Sequence, residues 1–191
     1  MSVRNIMIVG VGGQGSLLAS KLLGHLLLTK GYDVKVSEVH GMSQRGGSVV
    51  TYVRYGDRVF SPIIDQGEAD LIVSFELLEA ARWLPYLREG GRIVTNTQQM
   101  DPMPVITGAA SYPENLVGKL SERANLDALD CLSLASEAGS SRAVNIVLMG
   151  RLSRYFDFPV EDWMTSLEAC VPPKYLELNR KAFLLGRGED A

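Results

Sequence analysis

Between Ser37 and Gly47 the chain gathers a carboxylate (Glu38), an imidazole (His40), a hydroxyl (Ser43), an amide (Gln44) and a guanidinium (Arg45), followed by Gly46 and Gly47. Arg45 ahead of two glycines could offer a planar cation to a carboxylate or phosphate while the backbone comes close to it. His40 and Gln44 could then orient the bound group by hydrogen bonds. Two blander readings stand beside this one: a solvated polar loop, or an interface segment whose charges pair with another protein. A zinc site does not fit, because His25 and His40 are the only histidines and no cysteine lies near either. The two cysteines, Cys131 and Cys170, form no Cys-x-x-Cys pattern and read as small, reduced, buried hydrophobes. They cannot supply the thiolate set that an iron–sulfur cluster requires. No metal site is expected, and no side chain is singled out as catalytic.

The second chemistry-bearing stretch is Gly10-Val11-Gly12-Gly13-Gln14-Gly15, which satisfies G-x-G-x-x-G. In that pattern the first glycine permits a tight turn, the second lets a phosphate approach the backbone, and the third lets helix and strand pack closely. Free N–H groups and the dipole at a helix start favour an anion there. Gly13 leaves the loop more open than the motif needs. Three readings stay open: a phosphate-bearing ligand other than NAD, NAD or FAD with Glu38 holding the ribose, or a turn that is tight for structural reasons alone.

These residues need a scaffold that brings them to one edge. Residues 5–9 form a continuous apolar run before the glycines, the pattern of a strand buried on both faces. Leu17, Leu18, Leu22 and Leu26 then follow a helical spacing, with Gly31 placed as a C-cap. A second strand at 34–39 completes a β-α-β unit. Residues 48–55 alternate apolar and polar side chains and turn at Gly56-Asp57 towards a short returning strand at 58–61, a hairpin. Strands are expected at 69–74 and 92–96 around a helix at 75–88. A proline-bearing loop at 100–104, a helix at 113–125 and a strand at 128–132 come next. The last third predicts helices at 141–155, 160–170 and 173–186, separated by Pro159 and by Pro172-Pro173. Trp83 and Trp163 read as packing residues. With no internal repeat and no long linker, the expectation is a single domain over residues 1–191. Its fold class is α/β: a Rossmann-like, mostly parallel sheet with helices on both faces and a helical C-terminal tail. Ligands of such sheets bind beyond the carboxyl ends of the strands, where both motifs fall.

Composition narrows the partners. With 191 residues, 46% of them apolar and 21% charged, the chain can bury a large core. A net charge of −3 leaves no basic excess for nucleic acid. The apolar run before Gly10 is too short for an export signal, and no stretch approaches the roughly 20 apolar residues of a spanning helix. The expectation is a cytoplasmic protein that meets small molecules and other proteins, with no nucleic acid and no membrane.

Several segments, in a shared order, resemble one family. Gly12-Gly13-Gln14-Gly15 with Leu18-Ala19 and Lys21, the stretch from Ser37 to Gly47, and Ser61-Pro62-Ile63-Ile64 open the series. Gly67-Glu68-Ala69-Asp70 and Phe75-Glu76-Leu77-Leu78-Glu79-Ala80 follow. Arg142-Ala143-Val144-Asn145, Val171-Pro172-Pro173-Lys174 and Glu177-Leu178-Asn179 with Ala182-Phe183 close it. Together they resemble the gamma-type subunit or domain of the 2-oxoacid:ferredoxin oxidoreductases. The residues before Arg45-Gly46-Gly47 are most similar to the small (beta) subunit of the indolepyruvate branch.

The resemblance implies a thiamine-dependent enzyme that oxidatively decarboxylates a 2-oxoacid, here an arylpyruvate, and passes the electrons through iron–sulfur clusters to ferredoxin. Coenzyme A takes the acyl group, and the open glycine turn could hold part of it. Thiamine enzymes usually carry Gly-Asp-Gly followed by an asparagine to hold the magnesium diphosphate, and no such stretch occurs here. Thiamine diphosphate, Mg2+ and 4Fe-4S clusters are therefore expected on a large partner subunit, with ferredoxin reached through that subunit. This chain is expected to be an accessory subunit, inactive alone. The alternatives are a stand-alone NAD-binding oxidoreductase and a non-catalytic scaffold.

Overall fold

In the computed structural model, which describes residues 2–39 and 46–189, β1 (Arg4–Val11) lies inside the sheet and is apolar on both faces. Ile6 and Ile8 point into one helical layer, Met7 and Val9 into the other. α1 (Ser16–Thr29) follows the glycine turn. It ends where Gly31 takes φ +82° and the Tyr32 N–H reaches the Leu27 carbonyl at 3.2 Å, as the sequence position of that glycine predicts.

The expected β-α-β unit is present but split. β2 (Asp33–Glu38) does not neighbour β1, because β3 (Ser48–Gly56) lies between them, antiparallel to both. β3 has therefore found its partners on either side, and residues 58–61 form no returning strand. Side chains hold that segment instead. Asp33 accepts from the Val59 N–H at 2.7 Å, and Arg54 donates to the carbonyls of Ser61 (3.1 Å) and Ile63 (2.8 Å).

β4 (Ala69–Ser74), α2 (Leu77–Trp83) and β5 (Leu87–Asn96) come next. The helix expected over 75–88 stops early because Pro85 lacks the donor a helix interior needs. Leu84–Tyr86 tighten into a 3-10 turn, and Leu87 already pairs with Ala69. α3 (Met103–Ile106) and α4 (Leu116–Ser121) are short, the latter capped by Asn115, which accepts from the Gly118 N–H. The final strand, β6 (Asn125–Leu129), sits a little earlier than expected. Directly after it α5 (Cys131–Ala138) forms a helix where the end of a strand is expected at 131–132, opened by Asp130 accepting from the Ser133 N–H and closed by Gly139 at φ +115°. The tail is α6 (Val144–Ser153), α7 (Val160–Cys170) and α8 (Leu176–Arg187).

The strand order is β2-β3-β1-β4-β5-β6, with β1, β4, β5 and β6 mutually parallel and β3 reversed. The mostly parallel sheet expected from the alternation of elements is present, and β3 is the strand that runs against the others. α1 and α5 to α8 cover one face, with Trp163 and Phe183 fully buried among them. α2 and α4 cover the other through Leu77, Ala80, Leu116 and Leu120. Among the described residues no helix is long and apolar enough to cross a membrane.

Candidate functional site

The carboxyl ends of β1, β4 and β5 open onto one edge of the sheet, and the glycine turn crosses it. Each glycine there answers to a different constraint. A Cβ on Gly10 would stand 2.9 Å from Gln14 Oε1 and 3.0 Å from Phe75 Cβ, so close packing with the end of β4 demands glycine. Gly12 donates to the Gly47 carbonyl at 2.9 Å and accepts from the Gly46 N–H at 3.3 Å. Gly13 has φ +101° and open space where a Cβ would go. Gly15, at φ +89°, lies so close to α6 that a Cβ would come within 2.6 Å of Asn145 Nδ2. The third glycine of the pattern thus makes room for α6 rather than for a strand.

Gln14 works inward. Its carbonyl oxygen accepts from the Val11 N–H at 2.8 Å, and its amide nitrogen donates to the Phe75 carbonyl at 3.2 Å and lies 3.3 Å from Met100 Sδ. It closes the turn while also lining a cleft on the side of α6. Gly15 is the N-cap of α1 with no side-chain cap, and the first turn carries no acidic residue. That leaves the positive end of a 14-residue helix at the edge.

Clefts flank this helix start on both sides. One of about 650 Å³ runs between the glycine turn and the start of α6, walled by Gln98, Met100, Leu132, Arg142 and Asn145. Arg142 is exposed, so a guanidinium and an uncapped helix start border the same space. The other, about 320 Å³, lies between Gly12–Leu17 and the ends of β2 and β3, with Glu38 and Val39 in its wall. A third hollow of about 420 Å³ lies beyond Gly46 and Gly47 and is lined by Leu78, Met100, Met103 and Ile106. A further hollow of about 530 Å³, at the opposite edge by Gly90 and Arg123, approaches none of these groups.

The two chemistry-bearing stretches therefore meet: Gly12 is hydrogen-bonded to Gly46 and Gly47, and Glu38 shares a cleft with Gly12, Gly13 and Gly15. Glu38 also accepts from the Ser20 hydroxyl at 2.8 Å, which ties the end of β2 to α1. His40, Ser43, Gln44 and Arg45 lie outside the described residues.

Other residues at this edge were not singled out by type and spacing. Asn96 is fully buried at the end of β5, donating to the Phe75 carbonyl (3.2 Å) and accepting from the Cys131 N–H (3.2 Å), so it fastens three elements together. Asn145 donates to the Gly15 carbonyl at 3.4 Å. Glu76 and Glu79 are buried at the start of α2. Burial, and next its hydrogen bond to the Glu76 carboxylate, push the Tyr112 hydroxyl well above its ordinary pKa, so it stays a donor. A carboxylate two residues beyond a buried strand is the signal in the sequence for Glu76.

Known proteins resemble this chain in sequence and in fold. A family model described as pyruvate ferredoxin/flavodoxin oxidoreductase matches residues 5–189. Indolepyruvate oxidoreductase subunit IorB of Pyrococcus horikoshii is 45% identical over 192 aligned residues, covering 97% of this chain and 95% of that protein. The gamma subunit of a keto/oxoacid ferredoxin oxidoreductase from Geobacter sulfurreducens is 22% identical and superposes with a TM-score of 0.71, over 96% of this chain and 95% of that one. The 2-oxoglutarate:ferredoxin oxidoreductase of Magnetococcus marinus, solved with 2-oxoglutarate, coenzyme A and succinyl-CoA bound, is 19% identical. It gives a TM-score of 0.74 over 98% of this chain but only 31% of its own. The likeness to the solved structures establishes the fold, and the sequence match over almost the whole length establishes more: the chain belongs to the pyruvate ferredoxin/flavodoxin oxidoreductase family.

Proposed function

We propose that this chain is the accessory gamma-type subunit, folded as one domain, of a 2-oxoacid:ferredoxin oxidoreductase that acts on arylpyruvates of the indolepyruvate type. The observation that carries the reading is the 45% identity, over nearly the full length of both chains, to a subunit named for indolepyruvate oxidation. The side chains present support an accessory role. Thiamine diphosphate with Mg2+ supplies the nucleophile of this chemistry, and iron–sulfur clusters carry its electrons. Two cysteines in the whole sequence cannot ligate a cluster, and among the described residues no group of three or more His, Cys, Asp or Glu side chains could hold a metal ion. Two cysteines do not fit a cluster, and the sequence has no Gly-Asp-Gly stretch for the magnesium diphosphate, so both cofactors are assigned to a larger partner subunit, and ferredoxin with them.

What this chain contributes is the carboxyl edge. The uncapped start of α1 and the guanidinium of Arg142 border a cleft wide enough for the phosphate-bearing part of coenzyme A. Gly46 and Gly47 carry the end of the polar stretch that contains Arg45 to the same turn. Exposed apolar side chains gather around these clefts, among them Leu17, Val39, Met100, Met103, Ile106 and Leu132. Docking this edge on the partner would cover them and close the site to water. The stand-alone NAD reading is not favoured, because the chain matches subunits of another oxidoreductase family over nearly its whole length, and the Glu38 carboxylate that would hold a ribose is engaged by the Ser20 hydroxyl.

Reconstitution with the partner subunit tests the proposal. The complex should show arylpyruvate- and coenzyme A-dependent reduction of ferredoxin, this chain alone should show none, and Arg142→Ala should raise the KM for coenzyme A. Decarboxylation of a 2-oxoacid by the isolated chain would refute the accessory role.

A further inference from the structure

Two carboxylates at the start of α2, Glu76 at its extended N-cap and Glu79 in its first turn, are withdrawn from solvent: Glu76 is 1% exposed and Glu79 is 4% exposed. Burying charge is costly unless its oxygens are well supplied with donors. Glu76 draws its donors from three segments: the Glu79 N–H (2.8 Å), the Met100 N–H (3.1 Å) and the Tyr112 hydroxyl (2.5 Å). Glu79 receives the Ser48 hydroxyl, Arg82 Nε (3.0 Å) and Trp83 Nε1 (3.3 Å).

Those partners lead to the two sides of the glycine turn. Met100 rests its sulfur on the Gln14 amide at 3.3 Å, and Gln14 closes the turn on the Val11 N–H. Ser48 directly follows Gly46 and Gly47, whose backbone exchanges hydrogen bonds with Gly12. Glu76 stands at the extended N-cap of α2 and Glu79 in its first turn, so the start of one helix reaches both walls. We propose that Glu76 and Glu79 are positioning residues that set the two walls of the glycine turn separately: Glu76 through Met100 and Gln14, Glu79 through Ser48 and the Gly46-Gly47 pair.

Simple N-capping of α2 by Glu76 would make a different prediction, since only amides in the first turn of that helix would then depend on it. Amide hydrogen exchange on the full chain separates the two. Glu76→Gln keeps the shape but removes the charge, so whichever way its amide turns the Met100 N–H loses its charged acceptor, and Ser48→Ala removes the link from Glu79 without touching the buried acid. Losing one charge-assisted bond should speed exchange of the amides it holds by about tenfold or more. Glu76→Gln is expected to act on Met100 and Val11 and to spare Gly12 and Gly46. Ser48→Ala is expected to do the reverse. The proposal is overturned if each variant loosens both sets alike, if neither moves any of them, if only α2 responds, or if Met100 responds while Val11 does not.

The consequence for turnover rests on the proposed function. In the assembled enzyme both variants should raise the KM for coenzyme A several-fold and leave kcat at saturating coenzyme nearly unchanged. If the exchange pattern holds while that KM stays put, the assignment of the cleft to coenzyme A fails and the brace stands.

Discussion

The crossing of α6 and α8 should respond to a single methyl group in a way that its surroundings decide. A Cβ on Gly150 would sit 2.0 Å from the Phe183 carbonyl oxygen, 2.9 Å from its carbon and 3.1 Å from the Arg187 nitrogen. Gly186 meets the Val147 carbonyl from the other side at the same 2.0 Å. All of these are backbone atoms, so no side chain can swing aside, and the helices must part until 2.0 Å becomes at least 3.0 Å. That displacement loosens packing around Val147, Leu148, Ala182 and Phe183, all buried. Overpacking of this kind costs about 3 kcal/mol. Alanine's better helix propensity offsets about 1 kcal/mol of it, leaving a net loss of about 2 kcal/mol for Gly150→Ala.

Gly24 supplies the opposite case. It too is buried within a helix, α1, but a Cβ there would meet only Val36 Cγ2, at an ordinary 3.9 Å. Gly24→Ala should therefore stabilise the chain by about 0.5–1 kcal/mol. For a chain of this length the pair corresponds to a melting temperature lower by about 4–8 °C for Gly150→Ala and higher by about 1–4 °C for Gly24→Ala. Urea unfolding followed by circular dichroism reads both as midpoint shifts at constant slope. An unchanged midpoint for Gly150→Ala, or the same loss in both variants, would refute the reasoning, since space around the Cβ would then not be what matters.

Two further outcomes are expected. Burial alone would raise the Asp127 carboxyl pKa, but the hydrogen bonds from Arg151 (2.8 and 2.9 Å) and Tyr155 outweigh it and hold the pKa below the usual value. A depressed folded pKa gives stability that is complete above the unfolded value and is lost as pH falls through the folded one. Asp127→Asn should thus cost about 2 kcal/mol at pH 7, and the gap from the parent should shrink below about pH 4; a gap constant down to pH 3 would exclude the ion pair as its cause. Burial, reinforced by the nearby Asp130 charge, pushes the Cys131 thiol far up, whereas Cys170 is raised by burial but only half-buried. Maleimide at neutral pH should label Cys170 slowly and Cys131 only after unfolding, as read by peptide mass spectrometry; native labelling of Cys131 would contradict its burial.

Local chemistry was legible in the sequence where a residue acts on its neighbours. The apolar run of β1, the glycine turn, Gly31 and the proline-bounded α7 could be placed because each boundary is written within a few residues of itself. Pro85 marks where α2 ends, and Asp130 with Gly139 brackets α5, whose first two residues fall in the strand expected at 128–132. Pairing partners were not legible. The turn at Gly56-Asp57 invites a hairpin, yet β3 gains more by entering the sheet between β1 and β2, where Val53 and Tyr55 are buried. Likewise, no spacing rule connects Gly15 with Asn145, which belongs to the far end of the chain and meets it only after α6 has docked.

The misplaced strand also bears on what the glycine turn means. In a dinucleotide fold β2 lies beside β1, about 4.8 Å away, and its terminal carboxylate reaches the ribose. Here β3 takes that place, so β2 stands two strand spacings off, roughly 9.5 Å, and Glu38 at its end accepts from Ser20. The position beside the turn passes to Gly46 and Gly47, whose backbone offers hydrogen bonds to Gly12 and no carboxylate. The same six-residue pattern thus keeps its anion-attracting helix start, while Glu38, still in the wall of the cleft beside it, is held by Ser20 on α1. A glycine motif states how closely a phosphate can approach; which molecule carries the phosphate is decided by the neighbouring strand, and strand order is a property that the motif does not contain.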